Sequence, residues 1–173
     1  MKKLFFLILS IVLFQSCTSQ TYIEKGALDK LIDQQEFTFM AERAVPTNYD
    51  VINVMNSIPN STSSRIMDLS YGYSVVMKGT EMEVVLPYFG RTYNPSLNSD
   101  KNSLRFTSKD FSVSKKTGKK GNILLTVKPN DVTHIEALYF DISEKGKTYL
   151  SVNANDRSPI NFDGYIMKNE TAK

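Results

Sequence analysis

The sequence predicts an all-β, mainly antiparallel fold: a single β-barrel or β-sandwich domain with a short N-terminal helix behind a signal peptide. Three observations predict it. About nine short runs rich in alternating, β-branched and aromatic residues recur along the chain at roughly 10–12-residue spacing. Clusters of Gly, Pro, Asn and Ser separate them, which is turn chemistry. No helical period of useful length lies between the runs, so the strands must pair with sequence neighbours rather than through crossover helices. Periodicity alone leaves barrel and sandwich both open.

The elements follow in order. Met1-Lys2-Lys3 and the apolar stretch Leu4–Phe14 form a basic n-region and an h-region, ahead of Gln15-Ser16-Cys17. Eleven residues rise only about 16 Å as a helix, roughly half of the ~30 Å hydrocarbon core, so this is a signal peptide over residues 1–16 and not a membrane span. Cys17, the one cysteine of the chain, stands where a lipobox places the residue that takes a diacylglycerol. Phe14 replaces the usual Leu three residues before it. Residues 17–25 read as the lipidated cysteine and a polar tether, 26–168 as the β-domain with its helix, and 169–173 as a flexible tail.

Within the domain, Gly26–Gln35 carries one apolar stripe, Ala27, Leu28, Leu31 and Ile32. From Glu36 the period becomes two, with Phe37, Phe39 and Ala41 facing one way, until Val45-Pro46 ends the strand. Residues 47–64 are rich in Asn and Ser and read as a long excursion with one short packed piece around Val51–Met55; loops this long are often functional. Strands are then expected at 65–69, 73–78, 81–87, 104–107, 111–115, 123–128, 134–143, 148–153 and 160–167. Gly79-Thr80 and Lys145-Gly146-Lys147 mark hairpins, and 90–101 a polar loop.

Composition bounds the function. The 21 basic side chains less Lys2 and Lys3 leave 19 against 18 acidic ones in the processed chain, a net charge of +1. That balance argues against a nucleic-acid binder, which needs a basic field to displace counterions. With no cysteine after position 17, no disulfide can staple the domain in an oxidising compartment. A chain of about 150 residues buries roughly 68–70% of its unfolded surface and can rely on its core.

The segment Leu86-Pro87-Tyr88-Phe89-Gly90-Arg91, followed by Tyr93, resembles the DUF4251 family of Bacteroidetes envelope proteins. Phe37–Pro46 is similar to that family's opening strand, and Tyr149–Asn153 and Arg157–Gly164 to its closing strands. The resemblance covers about residues 36–166. It implies an envelope β-domain and supplies no reaction.

Each chemistry-bearing motif has a plain reading beside the functional one. In Leu86–Arg91, Pro87 ends a strand because it lacks an N–H for the ladder, Gly90 permits a positive φ that Tyr88 or Phe89 would resist, and Tyr88 or Phe89 caps the core. The functional reading is a ligand rim of Tyr88, Phe89, Arg91 and Tyr93, with a guanidinium fork for carboxylate or phosphate and tyrosine faces for a sugar or peptide. His134, the one histidine, sits at a strand start two residues from Glu136. With no nucleophile elbow beside it and too few companions for a metal, no catalytic residue, metal ligand or cofactor is assigned. Among the acids, Asp68, Glu81, Glu83, Asp141 and Asp163 fit solvated strand faces, and no pair stands out for glycosidase work. Lys115, Lys116, Lys119 and Lys120 around Gly118 read as a soluble hairpin tip or as a contact for anionic headgroups.

The expectation is therefore a lipoprotein of the cell envelope, anchored through Cys17, in the outer membrane facing the periplasm. It works without catalysis, by binding a small apolar or amphipathic ligand, or as a structural or accessory subunit of an envelope complex.

Overall fold

The structure is a computed structural model that describes residues 20–57, 67–93, 103–119 and 121–170. Residues 1–19, Cys17 among them, and the residues between and after these stretches lie outside that description. Helix α1 (Lys25–Gln34) leads into strand β1 (Glu36–Pro46), then helix α2 (Tyr49–Asn56) and strands β2 (Ser74–Lys78), β3 (Met82–Leu86), β4 (Leu104–Ser108), β5 (Phe111–Thr117), β6 (Ile123–Pro129), β7 (Ile135–Ile142), β8 (Lys147–Ala154) and β9 (Ile160–Met167).

The nine strands form one sheet in the order β4-β3-β2-β1-β9-β8-β7-β6-β5, and every neighbouring pair is antiparallel. Alternation along that order makes the two edge strands, β4 and β5, run in the same direction. Only Lys109-Asp110 separates them in sequence, so the sheet must curl until its edges meet. β4 and β5 then act as the two halves of one bent strand, the first paired with β3 and the second with β6. The result is a nearly closed antiparallel barrel. That settles the choice between barrel and sandwich, and it follows from a two-residue connection rather than from strand composition.

Asp131, in the turn after β6, clamps the bend. Its carboxylate accepts from the Ser108 hydroxyl, from the Lys109 N–H at 2.8 Å and from the Asp110 N–H at 3.2 Å. The Ser108 hydroxyl bond, first among the causes, and the Lys109 N–H hold the Asp131 carboxyl below its ordinary pKa. Asn130 answers from the same turn, its N–H donating to the Asp110 carbonyl at 2.7 Å and its amide to the Asp110 carboxylate at 2.9 Å.

Inward-facing side chains fill the barrel. Phe37, Phe39, Phe140 and Phe162 are fully buried, and Phe140 meets Phe37 and Phe39 edge-on at 6.2 and 5.9 Å. Gly164 belongs to this packing: a Cβ there would come within 2.1 Å of the Met40 carbonyl and 2.8 Å of the Phe39 ring. Helix α1 covers the end of the barrel where β1 begins. Leu28 and Ile32, one turn apart, point into it, and Gln35 ends the helix in the left-handed region at φ 55°. This is the helix end; the opposite rim is the loop end.

Several expectations change. The described part of 65–69 is no strand; Asp68 makes a single bridge to Arg43, opposite the bulge at Glu42 in β1. The packed piece inside 47–64 is α2, capped by the Asn48 side chain accepting from the Asp50 N–H at 2.9 Å. His134 lies in the turn before β7, not in the strand. Thr38 and Met40, which alternate with Phe37 and Phe39 along β1, are buried too, because the chain after β9 lies across them. Thr38 donates to the Asn169 side chain at 2.9 Å, Asn169 donates to the Met77 carbonyl at 2.8 Å, and the Tyr71 hydroxyl donates to Glu170. So 169 and 170, read as tail, are held. The tether is also shorter than expected, since Tyr22 already stacks on Tyr165 at 4.5 Å.

Candidate functional site

The motif Leu86–Arg91 leaves the barrel at the loop end, where β3 stops at Leu86. Residues 91–93 zip onto 156–158. The Ser158 N–H donates to the Arg91 carbonyl at 2.9 Å and the Tyr93 N–H to the Asp156 carbonyl at 2.8 Å, and these two bonds make the antiparallel bridge between Thr92 and Arg157. The loop between β3 and β4 is thus stitched to the loop between β8 and β9, across the rim.

Tyr88 locks the stitch. Its hydroxyl sits 2.9 Å from both the Arg91 and the Ser158 carbonyls, and its one proton serves either. Its ring folds back over Gly90, where an added Cβ would lie 2.4 Å from the hydroxyl oxygen. Gly90 is therefore required for close approach and not for a positive φ, which it does not adopt. This corrects the sequence reading: the glycine makes room for its own neighbour's ring. Phe89 packs against the core.

Under Tyr88 lies a side chain that sequence reasoning passed over. Arg157 is buried, and its guanidinium carbon stands 5.0 Å from the centre of the Tyr88 ring. It donates through Nε to Asp156 Oδ1 and through Nη2 to Oδ2, both at 2.9 Å, and through Nη1 to the Ser103 carbonyl at 3.2 Å. This fork matches a carboxylate in two bonds. The Arg157 bond is the main cause that keeps the Asp156 carboxyl below its ordinary pKa, and His134 adds to it. Burial pushes the Tyr88 phenol up, against the opposing pull of Arg157, so at neutral pH it is a hydrogen-bond donor. His134 stands edge-on to Phe106 at 6.0 Å, and Glu136 beside it is exposed. The one signal in the sequence for Arg157 was that its segment and the Leu86–Arg91 segment both resemble the same family.

The four residues proposed for the rim thus part company. Tyr88 and Phe89 face inward and hold the corner. Arg91 and Tyr93 face out, Tyr93 with 57% of its surface exposed, and among the described residues Arg91 makes no salt bridge. Ser158, whose N–H holds the Arg91 carbonyl, also lines an open depression of about 500 Å³ with Thr47, Asn48, Tyr49, Asp50 and Pro159. The Thr47 hydroxyl closes its base by donating to the Pro159 carbonyl at 2.6 Å. Tyr49 stands over it, 80% exposed. Chemically, the buried polar atoms of this corner are committed to one another and to backbone, which suits a rigid base. What it offers outward is a guanidinium and two phenols. Among the described residues no three His, Cys, Asp or Glu side chains converge as a metal site would require.

Comparison with known proteins agrees with this architecture. Residues 20–166 match the sequence profile of a family described as Domain of unknown function (DUF4251). A crystal structure of a DUF4251 family protein from Bacteroides eggerthii DSM 20697 superposes with a TM-score of 0.51 at 11% identity, covering 86% of this chain and 89% of that one. At that identity the likeness is one of fold. No curated protein matches.

Proposed function

The chain belongs to the DUF4251 family, and from that premise we propose that it is a lipid-anchored protein of the cell envelope that acts without catalysis, by binding at the loop end of its barrel. One observation carries the reading. Arg91 and Tyr93 are turned into solvent by a corner whose own polar groups are satisfied internally. A guanidinium and exposed phenols held on a preorganised base lose little entropy when a ligand arrives. The described interior is packed with core side chains, so the ligand meets the open rim. The chemistry there selects an amphipathic anion: a carboxylate or phosphate for the Arg91 fork, with an apolar or sugar-like body against Tyr93 and Tyr49.

Native mass spectrometry of the full chain, released gently from membranes of an envelope-bearing host, tests this. A bound mass that disappears in Arg91→Ala and in Tyr93→Ala, while the fold stays intact by circular dichroism, supports it. A bare protein, or a bound mass indifferent to both changes, refutes it. The same spectra test the anchor, because acylation at Cys17 adds a diacylglycerol-sized mass that Cys17→Ser removes.

The accessory-subunit reading has an observation of its own. Tyr49 and Val54 on α2 are 80% and 64% exposed, apolar surface that a protein partner could cover. Photocrosslinking from position 54 in the native envelope separates the two readings by yielding either a discrete protein adduct or none.

A further inference from the structure

We propose that the helix end of the barrel rests on anionic lipid headgroups, so that the loop end points away from the membrane. The inference builds on the lipid anchor of the previous section, and the fold carries it in three steps.

The first is chain length. The N–H groups of Tyr22 and Ile23 both reach the Lys145 carbonyl, at 3.0 and 3.4 Å. Gly146, at φ +84°, admits the Ile23 methyl so closely that a Cβ would lie 2.6 Å from it. From Tyr22 onward the chain is fixed to the barrel beside the turn between β7 and β8. The five residues from Cys17 to Tyr22 span at most about 18 Å. A lipid on Cys17 therefore holds that turn within about 18 Å of the bilayer surface, whatever path the tether takes.

The second is charge. The β7–β8 turn and the β5–β6 turn touch, since a Cβ on Gly121 would lie 2.9 Å from the Glu144 carboxylate. These turns and the strand ends beside them present Lys116, Lys119 and Lys147, all exposed. On the two turns themselves the acid among the described residues is Glu144, and it is engaged. Glu144 is paired with Lys25 and Asp33 with Lys115, each at 2.6 Å. Farther round this end Glu24 precedes α1, Asp29 lies on it and Glu36 begins β1, while Asp141 and Asp163 share a depression with Lys147. Three lysines on adjoining turns and strand ends, brought to the surface by a tether, match an anionic leaflet, whose attraction decays within about 8 Å at physiological ionic strength.

The third is distance. Strands of eight residues at about 3.3 Å per residue, tilted as barrel strands are, put the loop end roughly 20 Å beyond those turns. It is out of range of the headgroup field and open to a ligand arriving from the aqueous side.

The test uses the full acylated chain. Lipid occupies Cys17, so a single added cysteine takes a fluorophore without competition. Thr117→Cys labels the helix end and Thr133→Cys the loop end. Each is reconstituted into vesicles containing a headgroup nitroxide quencher, in phosphatidylglycerol mixtures and in phosphatidylcholine alone. The expected result is quenching at 117 several-fold stronger than at 133 on the anionic vesicles. That contrast shrinks on neutral vesicles and when Lys116, Lys119 and Lys147 are changed to Glu. Equal quenching at both positions, stronger quenching at 133, or a contrast indifferent to headgroup charge overturns the orientation. A chain without the acyl mass at Cys17 removes the anchor reading and this one with it; an acylated chain lying otherwise removes this one alone.

Discussion

At the helix end, the barrel is covered by two aliphatic side chains, Leu28 and Ile32, exposed by only 1% and 2%, over short turns. At the loop end, the cover is polar: the Arg157–Asp156 fork, the Tyr88 hydroxyl and two backbone hydrogen bonds between residues 91–93 and 156–158. The two kinds of closure respond differently to damage. Apolar burial is non-directional and shared with the whole core, so its loss lowers the stability of the entire barrel. A hydrogen-bonded corner is directional and local, so its loss frees loops while the ladders stay shut. The end that needs only to be shut is closed by the first, and the end proposed to meet a ligand is shaped by the second.

The most severe way to break this contrast is Leu28→Ala. It leaves a cavity between α1 and the barrel and costs about 2–5 kcal/mol of global stability. Denaturant unfolding should show the midpoint falling with the m-value unchanged, and hydrogen exchange should speed up in the most protected amides of β1 and β9. A change confined to α1 would mean the helix is an appendage and not a plug.

Arg157→Met comes next. It strands the Asp156 carboxylate and removes the cation beneath the Tyr88 ring. The expected cost is about 2 kcal/mol, below the loss for a fully buried pair because Asp156 keeps a third of its side chain, 32%, in solvent. Here the signature is local. The amides of Tyr93 and Ser158, which make the stitches, should lose exchange protection while those of the β6–β7 ladder keep theirs. Uniform loss across the barrel would show that the loop end is as much part of the core as the helix end.

What the sequence disclosed divides along the same line. Strand positions, except 65–69, were legible because alternation is a local signal, and the helix end was legible for the same reason: the stripe from Ala27 to Ile32 announces its buried face. Curling into a barrel was not, because it depends on β4 and β5 lying at opposite edges of the sheet, a pairing fact that no local pattern encodes. The rim was half legible. Pro87 and Gly90 marked a corner, but the reason for Gly90 lay in the fold of the Tyr88 ring, and Arg157 sits about seventy positions away. A charged residue in a Ser-Pro-flanked loop reads as solvated until its carboxylate and its aromatic ceiling are in view. The burial of Thr38 and Met40 was not legible for a related reason, since what buries them is a segment more than a hundred residues downstream.

A smaller change sharpens the comparison at the level of one proton. Tyr88→Phe keeps the ring over Gly90 and Arg157 and deletes only the hydroxyl, leaving the Arg91 and Ser158 carbonyls without that donor. About 1 kcal/mol is expected, again with faster exchange at Ser158. Gly90→Ala should cost more than Tyr88→Phe in the native background, because the added methyl displaces the ring, and far less in a Tyr88→Ala background, where the space is empty. A double-mutant cycle measures that coupling. Additive costs would mean that Gly90 is there for backbone reasons after all.

The smallest effect is a pH dependence. Asp156 has a lowered pKa in the folded state, first through its bond to Arg157. A carboxyl of this kind adds stability that is fully present above its unfolded pKa of about 3.9 and is lost as the pH falls through the lower, folded value. The barrel should therefore be insensitive to this group from neutrality to about pH 5 and weaken below pH 4. Asp131 at the bend and Glu144 at the helix end are lowered as well, so the slope in the wild type is shared. Comparison with Asp156→Asn isolates the loop-end share. The variant should be less stable than the wild type at pH 7, and the two should converge as the pH approaches 3. Protection at the Tyr93 and Ser158 amides, followed over the same range, should fall in the wild type before the ladders melt. Parallel stability curves with a constant gap would show that Asp156 contributes through its shape and not its charge, and the loop end would then be closed by packing, as the helix end is.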